Sequence, residues 1–127
     1  MPITRRLDES TQVLWTTISG QVTLEDLREH FAAVHEIRGG QYRELVDGRA
    51  VTGVAFGARD LPKLAEYGRQ LFADGPIAPR AIAVTGVIYF GLARLFASFA
   101  SSWVRISVFE DFSEAQAWIE MMVAAGV

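Results

Sequence analysis

The chain contains no cysteine, which excludes disulfides, thiolate metal sites and cysteine nucleophiles. Lysine is nearly absent too: Lys63 stands alone and every other basic residue is arginine, so a Schiff base or lysine phosphate clamp would rest on that one helix position. Histidine is scarce. His30 and His35 lie five apart on one helix rather than four, and no third ligand follows at helical spacing, so no metal constellation is present. Both read as flanking positions at the edge of an apolar stripe. The net charge of −3, with basic residues scattered along the chain, leaves no footprint for a phosphate backbone and argues against a nucleic-acid partner. No apolar segment follows Arg5 and Arg6 within Met1 to Ser10, so neither a signal peptide nor an N-terminal anchor is visible and a cytoplasmic location is expected.

What is there is globular. The 127 residues are 50% hydrophobic and 21% charged, which argues against disorder and predicts one domain spanning 1–127. Alternation over Ile3 to Asp8, a turn through Thr11, and the Val, Trp, Thr and Ile of Gln12 to Ser19 predict an antiparallel hairpin. Thr23 with Asp26 makes an approximate capping box for a helix striped by Leu24, Leu27, Phe31 and Val34, and Gly39-Gly40 supply its stop. A third strand is expected over Tyr42 to Asp47, followed by a glycine-containing loop from Gly48 to Arg59. Asp60 is expected to cap the next helix, whose Leu61, Leu64, Ala65, Gly68, Leu71 and Phe72 share one stripe, with Gly68 packing close on a sheet. Strand Ala81 to Thr85, a helix from Val87 to Ser101, strand Val104 to Phe109 and a last helix complete the chain. That helix is expected to be capped by Ser113 with Gln116 and striped by Ala115, Trp118, Met121 and Met122. Strand, strand, helix and then three strand-helix pairs predict an α/β fold: a mixed five-stranded sheet, mostly parallel after the hairpin, with about four helices.

The run from Ala81 to Val104 carries one charge, Arg94. It is long enough to suggest a membrane span, but Thr85, Gly86, Gly91 and Ser98 interrupt it, and it reads as strand, turn and helix rather than an integral membrane segment. Within the helix, Tyr89, Leu92, Leu95, Phe96, Phe99 and Trp103 form a core stripe, while Phe90, Arg94, Ala97, Ser98 and Ser101 occupy the opposite face. That face is too apolar for a solvent face. It fits either self-association or partner contact, or the wall of an apolar ligand pocket, with Arg94 fixing an acidic head or a partner's carboxylate. The candidate binding residues are Tyr89, Phe90, Arg94, Phe96, Phe99 and Trp103.

Taken in order, these pieces resemble the SpoIIAA-like proteins, relatives of the STAS and SEC14-type domains. Gly20-Gln21-Val22-Thr23-Leu24-Glu25-Asp26 is similar to that family's strand-to-helix junction and Leu45-Val46-Asp47 to its central strand. Ala83-Val84-Thr85, then Tyr89, Gly91, Ala93 and Arg94, and finally Val108-Phe109-Glu110-Asp111 with Glu114, Ala115 and Trp118, are similar to its later strand-helix pairs. The resemblance implies a small α/β sandwich used for regulation by protein contact or for holding a lipophilic molecule, without catalysis or cofactor. Phosphorylation-switched STAS members carry a serine after the central strand. Here Gly48-Arg49-Ala50-Val51-Thr52-Gly53 has none, leaving Thr52 as the candidate modification site and arguing against an anti-sigma-antagonist mechanism.

No catalytic motif stands out. Gly48, Gly53 and Gly57 lack the Lys-Ser/Thr of a phosphate loop, and no Gly-x-Ser-x-Gly singles out a nucleophile among Ser98 and Ser101 to join a histidine and Asp47. Glu110, Asp111 and Glu114 cluster before the last helix, where the helix dipole already explains them. The expected role is therefore a non-enzymatic module, working as a homodimer or with a partner protein through helix 87–101, or alternatively as a binder of a lipophilic small molecule.

Overall fold

A computed structural model describes residues 2–122. The expected hairpin forms from β1 (Ile3–Asp8) and β2 (Val13–Val22), paired antiparallel with Leu7 opposite Leu14. Helix α1 (Leu24–Glu36) starts at a true capping box: Asp26 N donates to Thr23 Oγ1 at 3.1 Å and Thr23 N donates to Asp26 Oδ2 at 2.9 Å. Then follow β3 (Arg43–Val54), α2 (Leu61–Leu71), β4 (Arg80–Val84), α3 (Val87–Phe99), β5 (Ile106–Phe109) and α4 (Phe112–Met121). The sheet runs β1-β2-β3-β4-β5, with β2 to β5 mutually parallel, so the mixed five-stranded sheet and four helices match the sequence reading.

Several local expectations fail. The third strand does not end at Asp47-Gly48 but continues to Val54, pairing Ser19 with Ala50 and Val22 with Val54 across two register shifts. These irregularities break the two-residue alternation that marks a strand in sequence. Gly48 is there for proximity rather than for a turn, since a Cβ would lie 2.8 Å from Val84 Cγ1 and 3.2 Å from the Ala83 carbonyl oxygen. Thr52 therefore sits exposed on a strand, not on a loop. Gly68 is tight against Trp103 rather than the sheet, with a Cβ there only 2.5 Å from the indole Cη2. Finally, Asp60 accepts from Gly57 N and closes the turn before α2 without capping the helix, while α4 is capped by Asp111 and not Ser113. Asp111 Oδ1 takes both Glu114 N and Ser113 Oγ, at 3.2 and 2.7 Å.

The alternating pleat gives the sheet two different faces. On one, Val13, Leu45, Ala81 and Ala83 meet Ala115 and Ile119 of α4. On the other lie Leu14, Thr16, Glu44, Val46, Arg80 and Ile82, beneath α1, α2 and α3. Met121, expected on the α4 stripe, is instead exposed, and Ile119 takes the buried position. Among the described residues no helix is long and apolar enough to cross a membrane.

Candidate functional site

Strand register brings three polar side chains together under α1. Glu44 on β3 stands beside Arg80 on β4 and faces the same way as Thr16 on β2. All three are buried, and so is His30, which α1 lowers onto them from between Leu27 and Val34. Thr16 Oγ1 donates to Glu44 Oε2 at 2.5 Å, and His30 Nε2 reaches the same oxygen at 2.8 Å. Arg5 Nη1 lies 3.1 Å from His30 Nδ1. Because arginine only donates, Nδ1 must accept, which assigns the ring proton to Nε2, directed at Glu44. Arg80 Nε stands 3.3 Å from Glu44 Oε1, and Arg80 Nη1 donates to the carbonyls of Tyr42 and Ala78 at 2.8 and 2.7 Å.

Burial alone would push the Glu44 carboxyl up. His30, the Arg80 guanidinium and the Thr16 hydroxyl outweigh it and bring the carboxyl down to about 2. Burial pulls the Arg80 guanidinium below its ordinary value, against the opposing influence of Glu44. It stays cationic, as arginine does in proteins.

This cluster borders a cavity of about 180 Å³ between the sheet and α1, α2 and α3. The remaining walls are almost wholly apolar, including Phe31, Val46, Leu64, Ile82, Leu92 and Phe96. An apolar chamber with a few polar groups at one place is the usual form of a small-molecule site.

The candidate residues of α3 separate into three groups. Tyr89, Phe96 and Trp103 line the cavity. Phe90 and Arg94 lie instead in a shallow hollow on the outer side of α3, with Ala97, Ser98 and the edge strand β5, where the Arg94 guanidinium sits 5.8 Å from the Phe90 ring. Arg94 thus stands outside the chamber that a ligand head would enter. Phe99 is 44% exposed and borders neither space. No residue of α3 is fully buried, because the helix roofs a cavity instead of resting on a filled core.

Other sequence candidates do not assemble. His35 faces Asp74 at 3.8 Å and the edge of Phe72. Asp47 is held by Arg49 through two bonds of 2.9 Å, on the face of the sheet away from His30, so no Ser/His/Asp set forms. Among the described residues no group of three His, Asp or Glu side chains is placed to hold a metal ion. The expectation that His30 is a stripe-edge residue is wrong: it is a buried partner of Glu44. Glu44 and Arg80 carry a legible signal, because each lies at the start of an apolar strand and stands an even number of residues from Val46 and Ile82.

No protein-family model and no curated protein matches the chain. A solved structure does match: an uncharacterised DUF3478-family protein from Shewanella loihica PV-4, described as having a SpoIIAA-like fold, at 20% identity with a TM-score of 0.60. The match covers 92% of this chain and 93% of the other. The fold is SpoIIAA-like. The resemblance carried by Gly20 to Asp26, Leu45 to Asp47 and the later strand-helix pairs therefore holds at the level of architecture. Within this fold, the parallel strands β2, β3 and β4 form the floor of the cavity and α1 to α3 its roof.

Proposed function

We propose that this chain is a non-catalytic STAS-type module that binds a lipophilic small molecule in the chamber between the sheet and α1 to α3. The observation that supports it is the chamber itself, apolar on nearly all sides and bounded at one place by a buried ion pair. Such a space stands out, since interiors are otherwise packed like organic crystals with few voids larger than a water molecule. Of the candidate residues, Tyr89, Phe96 and Trp103 are the ones that contact the ligand in this reading. Nile red uptake by delipidated protein tests it. The wild type should bind the dye with a strong fluorescence increase. Ala93→Trp, which fills the chamber from α3, should abolish that increase while keeping the circular dichroism of the wild type. Equal uptake by the two proteins would contradict the reading.

A second reading, protein contact through α3, is favoured by different residues. Val87 and Ile88 are 86% and 72% exposed, and the Phe90–Arg94 hollow runs along the open edge of β5. An interface there would pair two copies in the cytoplasm, and Phe90→Glu should turn a dimer into a folded monomer of stability unchanged within about 1 kcal/mol. A size-exclusion profile identical to that of the wild type would remove this interface.

A further inference from the structure

Among the described residues, three buried side-chain nitrogens have no hydrogen-bond partner: Trp15 Nε1, Arg43 Nε and Arg80 Nη2. Only Arg80 of these lines the cavity. Its guanidinium is otherwise fully committed, with Nε toward Glu44 and Nη1 shared by two backbone carbonyls. One charged donor is therefore left without an acceptor at the polar end of an apolar chamber. Buried polar groups are almost always satisfied, and each exception calls for a physical cause.

The charge balance narrows what the missing acceptor is. Glu44 and Arg80 cancel one another, and Arg5 Nη1, 3.1 Å from His30 Nδ1, ties up the far side of the ring. The buried ion pair is already neutral. A carboxylate or phosphate head would bring an uncompensated negative charge into a low-dielectric space beside the Glu44 carboxylate. A purely apolar ligand would leave Nη2 as it is.

We infer that the cavity selects an apolar molecule bearing one uncharged acceptor oxygen, a carbonyl or hydroxyl, which Arg80 Nη2 donates to. The inference rests on the reading of the chamber as a ligand site and adds the chemistry of the head. Nη2 is out of contact with water in this structure, so seating the oxygen displaces the side chains that cover it. Selectivity then comes from Arg80, at the start of β4, and not from Arg94 on α3.

The test displaces Nile red from delipidated protein with four probes of one chain length: dodecane, 1-dodecanol, methyl dodecanoate and dodecanoate. Each dissociation constant is measured for the wild type and for the double variant Arg80→Met/Glu44→Gln. The pair is changed together because Arg80→Met alone strands Glu44 as a buried charge. The dodecanol and methyl ester should weaken by about tenfold or more in the double variant, the range for a hydrogen bond to a charged donor. Dodecane and dodecanoate should change by less than about threefold. Equal weakening of dodecane and dodecanol would overturn the inference while leaving the chamber a ligand site, and so would dodecanoate showing the largest loss. Failure of all four probes to displace the dye from the wild type would overturn both the inference and the reading beneath it.

Discussion

The two faces of one sheet solve the same problem in opposite ways. Beneath α4, the strands present Ala81 and Ala83, the helix answers with Ala115, and all three are wholly buried. Small side chains on both surfaces let the helix descend until Leu45 and Ile119 fill the remaining gaps. Beneath α1 to α3 the strands present Val46, Ile82, Glu44 and Arg80. There α2 packs on both α1 and α3 more than on the strands, and α3 buries none of its own residues completely. One face is a finished core. The other is a roofed space, and its walls have the composition of a core without the filling.

If that contrast is right, the largest effect comes from unbalancing the polar end of the roofed face. Glu44→Ala leaves the Arg80 charge buried and unpaired and should cost about 3–5 kcal/mol in urea denaturation. The same group sets the acid response. Its folded-state pKa of about 2 lies below the ordinary 4.5, so its contribution is fully present above pH 4.5 and is lost as the pH falls toward 2. Glu44→Gln should flatten that acid limb, and an unchanged limb would show that Glu44 is not the group responsible.

The next comparison sets the faces directly against each other. Ile119→Ala opens a void in the finished core and should cost about 3 kcal/mol. Leu92→Ala removes a similar group from the wall of an existing cavity and should cost about 1 kcal/mol or less, because little new void is created. Equal losses would mean that the two faces are packed alike. A smaller effect is expected at the joint between α2 and the chain after α3. Gly68→Ala drives a methyl group into the Trp103 ring, which is also stacked on Phe72 at 5.9 Å. It should cost about 1–2 kcal/mol and shift the tryptophan emission.

Much of this architecture is legible in the sequence, for reasons that the failures make clear. The hairpin, the Thr23–Asp26 cap and the order of strands and helices are local signals, and each survives. The α4 cap is ambiguous in sequence because two overlapping signals, Asp111-x-x-Glu114 and Ser113-x-x-Gln116, compete, and the carboxylate is the stronger acceptor. The length of β3 is hidden by its register shifts. The site is harder still. The charges at Glu44 and Arg80 look like the solvated beginnings of strands until the parallel register puts them side by side under His30. The aromatic wealth of α3 is plain in the sequence. Which of its residues face inward depends on the rotation of the helix on β4 and β5. Periodicity puts Tyr89 and Phe96 on one face and Phe90 and Arg94 on the other, as the structure has them, but it does not set that rotation, and Phe99, expected on the core stripe, stays exposed.

The central claim is that the face beneath α1 to α3 is held open for a lipophilic guest. Native mass spectrometry of the freshly purified protein tests it most directly, because it reads the mass of the intact chain with whatever it carries. The expected species is heavier than the bare chain by a few hundred daltons, returns to the bare mass after solvent extraction and gains mass again on incubation with 1-dodecanol. A chain that is bare on purification and stays bare in the presence of 1-dodecanol and methyl dodecanoate would contradict it.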